Sequence, residues 1–386
     1  MQLYKNLYKK INYIVKKKTG LHEPKFDKND IKIVSSCIKS SFVSTFGKFV
    51  VKFEKSIKKI TNSKYVIATN TGTSALHIAL MLVGVKKDTN VLLPTLSFAA
   101  TGNAVLYNNA IPIFLDSSES TFCLDEEKLE KYLKLNTFFI NGKRCSKHNR
   151  KLISAIIVTH VFGSYCDMEK ILKISKKYGV PIVEDCAEGL GSLYKKKHLG
   201  TFGNVGILSF NGNKIVTSGS GGAIITNSKK LYLQALHLVS VSKIKHKWKF
   251  FHDKLGWNYR MSSLSASLGY SQLKKIRSLI SKKKILHNKY KKQFENDKNF
   301  HLMNLERNTN FKSNYWLNAL RIDNKKISKK KTLDYLNDNG IQCRPIWDLL
   351  HTLPHFKKFK HHDINGSKKL FDRIILLPSS PSLIKN

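Results

Sequence analysis

Between residues 65 and 227 short apolar runs alternate with amphipathic stretches, and few folds accommodate that rhythm. The candidate strands are Tyr65–Ala68, Asn90–Leu93, Ile111–Asp116, Ser154–Thr159, Pro181–Glu184, Gly206–Phe210 and Ala223–Thr226. Helical spacing is visible in Thr73–Val83, Phe98–Tyr107, Glu126–Leu133 and Met168–Tyr178. Strands that alternate with helices pair in parallel, and a parallel sheet is buried on both faces, so its strands read as apolar runs. The pattern predicts an α/β fold with a mostly parallel seven-stranded sheet covered by helices. Ligands of such sheets lie beyond the carboxyl ends of the strands.

Outside that region the organisation changes. Residues 134–152 form a polar, basic insertion, and Leu264–Asn296 carries one long helical pattern. The apolar stretch Tyr315–Ile322 and a helical pattern at Lys329–Asn339 then point to a smaller C-terminal α+β lobe. The expected division is a basic N-terminal arm (1–22), a large domain (23–265) and a small one (266–386).

Charge invites a different reading. The formal net charge is +42, but only eight of the 68 basic residues are arginine, and bidentate reading of bases leans on arginine. The lysines are spread along the chain, which fits a solvated surface that attracts anionic substrates better than a nucleic-acid site. No apolar run reaches the ~18 residues of a membrane span, and the N-terminus is too often interrupted by Lys and Asn for a secretory signal. Six cysteines lack CxxC spacing and read as reduced thiols. A cytoplasmic protein with no nucleic-acid or membrane partner is expected, and no metal.

The segment Val183–Thr226 carries the chemistry. Asp185 ends an apolar strand, and Lys214 sits in a Ser/Gly/Asn-rich turn between two more. A desolvated lysine can form a Schiff base with an aldehyde cofactor, and a buried carboxylate can hold a pyridine nitrogen protonated, which is the pairing pyridoxal 5'-phosphate requires. Glu188, three residues beyond Asp185, would face the ring's 3-oxygen if the chain turned helical there; otherwise it caps the next helix. Thr73 and Ser74 open a helix after the first strand, where they form either a phosphate cradle or an ordinary N-cap. Ser209 would add a hydroxyl to the phosphate. Phe98 would stack on a flat ring or fill the core.

These residues fall in stretches that together resemble the DegT–DnrJ–StrS family of nucleotide-sugar aminotransferases: TGTSALHIAL, LPTLSFAATGNAV, IPIFLD, VTHVFGSYCDM, VEDCAEGLGS, GTFGNVGILSFNGNKIVTSGSGG and GWNYRMSSLSASLGYSQL. The resemblance spans about Leu21 to Pro381. It implies the pyridoxal phosphate enzyme fold type I, with Lys214 as the Schiff-base lysine, Asp185 as the pyridine partner and Glu188 near the 3-oxygen. Thr73, Ser74 and Ser209 match phosphate contacts, and Phe98 an aromatic position over the ring. Asn258 matches an asparagine that reaches the neighbouring subunit's phosphate, which implies a homodimer with shared sites. Arg260 is a candidate for substrate anions. Arg344 in CRPIW either holds a carboxylate or a diphosphate or is a surface arginine, and His160 in VTHVFG is a candidate near the substrate, against the alternative of a satisfied core histidine. In the Gly-rich turn Ser220 stands where the family often has an acid.

The pieces LHEPKF, SFVSTFGKFVVKFE, SNYWLNAL, CRPIWDLLHTLP and LPSSPS, together with the insertion at 134–152, are similar to the branch acting on UDP-linked N-acetyl-4-keto-6-deoxyhexoses for legionaminic acid and bacillosamine-type sugars. The resemblance implies amino transfer from L-glutamate to such a sugar in surface-glycan biosynthesis. The alternatives are a 3-keto-sugar aminotransferase or a dehydratase of the same fold. Dehydrating relatives replace the Schiff-base lysine by histidine, and Lys214 is present. A nicotinamide dehydrogenase would want GxGxxG after the first strand, which TNTGTSAL does not supply. A lysine-rich nucleic-acid-binding protein would leave the pairing of Asp185 with Lys214 unexplained.

Overall fold

The computed structural model describes residues 1–16, 18–306 and 309–384. Its centre is a sheet of seven strands: β1 (Tyr65–Thr69), β2 (Asn90–Pro94), β3 (Ile111–Leu115), β4 (Ile153–Thr159), β5 (Ile182–Asp185), β6 (Val205–Ser209) and β7 (Gly222–Thr226). The spatial order is β1-β7-β6-β5-β4-β2-β3. Pairing is parallel from β6 across to β3, while β7 runs antiparallel to both β1 and β6. The expected strands all exist, each displaced by no more than two residues at either end.

The apolar runs have their cause in two cores. Along β4, Ile156 and Val158 join one buried cluster, and Ala155 and Ile157 join another on the opposite face. A period of two thus demands apolar side chains at every position. Helices Gly72–Leu82 and Ala99–Tyr107 cover one of these faces, and Lys48–Thr61 and Met168–Tyr178 the other.

Three expectations shift. The pattern over Leu264–Asn296 is two helices, Ser263–Leu273 and Ile276–Phe294, separated at Lys274–Lys275. The insertion at 134–152 contains a hairpin, Thr137–Ile140 with Lys143–Ser146. The N-terminal arm begins as a helix, Gln2–Val15, which buries Leu7, Ile11, Ile14 and Val15 against Leu286, Tyr290 and Phe300. Each such apolar side chain stabilises by about 1.5–3 kcal/mol when fully buried, and the i, i+4, i+7, i+8 spacing of these four puts them on one face of the helix.

The C-terminal part holds an antiparallel sheet of β8 (Phe300–Leu302), β9 (Asn318–Ile322), β10 (Arg344–Pro345) and β11 (Ile374–Leu377), in the order β8-β9-β11-β10. Asp116, just beyond β3, fastens a C-terminal helix to the large sheet. Its carboxylate accepts from the Gly366 amide at 2.8 Å, the Ser367 amide at 2.7 Å and the Ser367 hydroxyl at 2.6 Å.

Candidate active site

A cavity of about 290 Å³ opens beyond the carboxyl ends of β1, β4, β5 and β6. Its walls include Thr71, Gly72, Thr73, Ser97, Phe98, Thr101, Thr159, Asp185, Glu188, Ser209, Lys214 and Ser220, closed from the small lobe by Trp316 and Trp347. This is where an open parallel sheet presents ligands.

Asp185 is the last residue of β5 and is buried. Its Oδ2 accepts from the Thr101 hydroxyl at 2.7 Å, and its Oδ1 from the Ala187 amide at 3.2 Å. Thr101 in turn accepts from the Ser97 hydroxyl at 2.7 Å. This chain of donors orients the carboxylate and leaves acceptor capacity on both oxygens. Thr101 lies in the stretch LPTLSFAATGNAV without any local signal of its role.

Lys214 reaches the cavity from the turn after β6, with its side chain 13% exposed. Its Nζ lies 3.1 Å from Glu188 Oε1 and 4.1 Å from the centroid of a Trp316 ring. The turn is braced from the small lobe, where the Trp316 indole donates to the Asn213 carbonyl at 2.9 Å. Ser220 ties the Gly-rich stretch to the end of β1, donating to the Asn70 carbonyl at 2.8 Å.

Glu188 lies in a turn and neither lies in nor caps a helix, contrary to both sequence expectations. Asn314 holds that turn by donating to the Glu188 carbonyl at 2.7 Å and the Leu190 carbonyl at 3.0 Å. One carboxylate oxygen meets Lys214, and the other accepts from the Phe162 amide at 2.8 Å. Burial raises the Glu188 carboxyl above its ordinary value, and Lys214 and the Phe162 amide pull it back only in part.

At the other wall, helix Gly72–Leu82 starts at the cavity. Its N-cap is Thr71, whose hydroxyl accepts from the Ser74 amide at 3.0 Å. The Ser74 hydroxyl pairs with Thr71 at 2.8 Å and does not line the cavity, whereas Thr73 and Ser209 do. The amides of Gly72 and Thr73 have no intrahelical acceptor and stand at the positive end of the helix dipole. Bare backbone is required here, because a Cβ on Gly72 would lie 2.9 Å from Ser209 Cβ and one on Gly222 would lie 2.3 Å from the Thr71 carbonyl oxygen.

These residues fit pyridoxal phosphate. An oriented carboxylate stands ready for a pyridinium nitrogen, helix amides and hydroxyls for a phosphate, and a lysine amine for an aldehyde. Phe98 lines the same cavity, its exposed ring edge-on to Trp347 at a centroid distance of 6.0 Å.

Four sequence candidates lie elsewhere. His160 is fully buried, with Nε2 2.9 Å from Glu184 Oε2, and lines neither this cavity nor its neighbour. Burial would raise Glu184, but His160 and the Gly203 and Gly200 amides outweigh it and leave the carboxyl below its ordinary value. Arg260 also stands outside both cavities; it is an antiparallel bridge partner of Thr69 and its charge acts on Glu54. Asn258 is exposed and absent from both linings. Arg344 is exposed and lines a second cavity of about 530 Å³, which shares Phe98, Asn213, Trp316 and Trp347 with the first.

Comparison with known proteins agrees with this geometry. Residues 24–386 match the DegT/DnrJ/EryC1/StrS aminotransferase family. The chain is 32% identical over 364 residues to GDP-perosamine synthase of Escherichia coli O157:H7, covering 94% of this chain and 93% of that one. It is 34% identical over 275 residues to the UDP-4-amino-4,6-dideoxy-N-acetyl-beta-L-altrosamine transaminase of Campylobacter jejuni, covering 71% and 69%. An aminotransferase of Helicobacter pylori involved in the biosynthesis of pseudoaminic acid superposes with a TM-score of 0.84 at 25% identity, over 94% of each chain. A match that takes in both lobes and every wall of the cavity decides the matter: this chain belongs to the DegT/DnrJ/EryC1/StrS aminotransferase family and is a pyridoxal phosphate-dependent aminotransferase.

Proposed function

We propose that this protein transfers an amino group from L-glutamate to the keto carbon of a 4-keto-6-deoxy nucleotide sugar, a UDP-linked N-acetylhexosamine, in the biosynthesis of a surface glycan. The observation that carries the reading is the convergence of Lys214, Glu188 and Asp185 on one cavity that shares four lining residues with a second, which has Arg344 on its wall. Bound pyridoxal phosphate supplies an electron sink that stabilises negative charge developing at the substrate carbon.

The chain's own groups do the rest. Asp185, held by Thr101, keeps a positive charge on the ring nitrogen. Lys214 would take a proton from the amino donor's α-carbon as general base and deliver one to the acceptor as general acid. Glu188, 3.1 Å from Lys214, orients the amine and takes up the change in its charge. The Gly72 and Thr73 amides with Ser209 anchor the phosphate, and Trp316 and Trp347 narrow the access of water. Arg344 faces the diphosphate of the acceptor.

In this reading the protein is a cytoplasmic homodimer in which Asn258 serves the partner's phosphate site, and the chain divides at residues 22 and 265. Among the described residues no helix is long and apolar enough to cross a membrane. The aromatic residues Phe42, Phe46, Trp248, Phe250 and Phe251 stand exposed on this single chain, as residues that meet a second copy would.

A GDP-linked acceptor is the second reading, favoured by the 32% identity to GDP-perosamine synthase over 364 residues. Incubation with glutamate and either UDP-4-keto-6-deoxy-N-acetylglucosamine or GDP-4-keto-6-deoxymannose separates them. A 4-amino product from the UDP sugar supports the first, product from the GDP sugar alone supports the second, and product from neither overturns both.

A further inference from the structure

The second cavity contains a side chain that the transamination reading does not use. His22 lines it together with Trp316, Trp347 and Arg344, and both of its ring nitrogens are shut off from solvent without a hydrogen-bond partner. Buried polar atoms in native proteins are nearly always satisfied, and an orphan costs its full desolvation penalty. Here both nitrogens of one ring are orphaned at the wall of a cavity.

The position is built rather than incidental. The Gln342 amide donates to the Thr19 carbonyl at 3.0 Å and the Ser379 amide to the Leu21 carbonyl at 2.7 Å. The Glu23 amide donates to the Ser380 hydroxyl at 2.9 Å. The backbone is therefore pinned to the small lobe on both sides of His22. The ring lies 6.4 Å from Trp316, the same indole whose face meets Lys214 Nζ at 4.1 Å. The His22 ring thus lies one aromatic side chain away from the reacting amine.

We propose that His22 hydrogen-bonds a hydroxyl or carboxamide group on the sugar ring of the nucleotide-sugar acceptor; this rests on the nucleotide-sugar reading above. A neutral imidazole offers one donor and one acceptor; hydroxyl and amide groups can satisfy both nitrogens, whereas an ionised carboxylate or phosphate can only accept and leaves the acceptor nitrogen unmet. Burial holds the ring well below the ordinary histidine value, with the charges of Lys283 and Lys214 acting in the same direction. A contact with the Asn213 backbone opposes this, but its geometry falls short of a hydrogen bond. A site that pairs with a polar group rejects ligands lacking that group far more strongly than an apolar pocket does. His22 therefore separates sugar-bearing ligands from bare nucleotides, whereas Arg344 responds to the diphosphate in both.

Tryptophan fluorescence tests this by equilibrium binding, since Trp316 and Trp347 line the cavity. UDP, UDP-N-acetylglucosamine, GDP and GDP-mannose are titrated into wild type, His22→Phe and His22→Gln. The expected result is that His22→Phe weakens binding of the sugar nucleotide about tenfold relative to wild type and leaves the bare nucleotide unchanged. His22→Gln, which keeps a donor and an acceptor, recovers most of the loss. If His22→Phe binds the sugar nucleotide as wild type does, or weakens nucleotide and sugar nucleotide equally, the proposal is overturned while the nucleotide-sugar reading stands. If wild type binds none of the four, the reading fails and the proposal with it.

Discussion

Lys214 meets Glu188, at 3.1 Å, while Asp185 takes its hydrogen bonds from Thr101 and the Ala187 amide. The two acids that follow one another so closely in VEDCAEG are thereby separated in role. One faces the amine, and the other is held ready for the cofactor ring. Because Lys214 also lies against the Trp316 face, the amine is confined on two sides before any ligand enters.

Lys214→Ala should fold normally and lose catalysis. The purified holoprotein should absorb near ~420 nm from the lysine-bound cofactor, and the variant should not. Normal transamination by the variant would remove Lys214 from the mechanism.

Glu188 should shape the acid side of the pH profile. Burial raises its carboxyl above the ordinary glutamate value of 4.5, so it gains a proton at a higher pH than an exposed glutamate as the solution is acidified. Protonation removes the negative partner of Lys214, and kcat should fall over that range. In Glu188→Gln the acid limb should disappear and kcat at neutral pH should drop about tenfold to a hundredfold. An unchanged limb in the variant would assign the titration to another group.

Thr101→Val should weaken cofactor retention about tenfold, because it removes a hydrogen bond to a charged carboxylate. Equilibrium dialysis of pyridoxal phosphate against both proteins measures this. Asp185→Asn should cost more than Thr101→Val in both retention and kcat, since it removes the charge itself.

Asp116→Asn should lower stability by about 3 kcal/mol at pH 7, measured as a shift in urea midpoint. Burial would raise the Asp116 carboxyl, but Lys128, Ser367 and the Gly366 amide outweigh it and hold it below the ordinary value of 3.8. A depressed carboxyl contributes stability that is complete above the unfolded-state value and is lost as pH falls through the folded value. The gap between wild type and variant should therefore persist at pH 5 and close only below about pH 4. A gap that closed near pH 6 would point to a different group.

Light scattering should report twice the 44.1 kDa chain mass if the exposed aromatic residues mark an interface between copies. Charged substitutions at Phe46 or Phe250 should then shift the species toward monomer, and a monomeric wild type would sink the shared-site reading.

The sheet and its chemistry were open to reading along the chain because each depends on neighbours in sequence. Two cores, one on each face of β4, force apolar residues at every strand position, and that leaves a visible run. Asp185 at a strand end and Lys214 in a Gly-rich turn are local arrangements whose residue types announce their use. Glu188 was found as a candidate but given the wrong surroundings, because a turn stabilised by Asn314, 126 residues away, replaces the anticipated helix. His160 and Arg260 were candidates from their places in the motifs VTHVFG and GWNYR, yet packing faces them toward Glu184 and Glu54. Thr101, Trp316, Trp347 and His22 lie in stretches that carry the family resemblance, but nothing local in those stretches marks them as residues of the site. They come from separate helix, loop and arm segments, and only tertiary packing brings them to the two adjoining cavities, Thr101 to the first, His22 to the second and the two tryptophans to both. Local pattern is set by burial and backbone chemistry within a few residues; the partners of a buried polar group are set by which distant segments the cores press together.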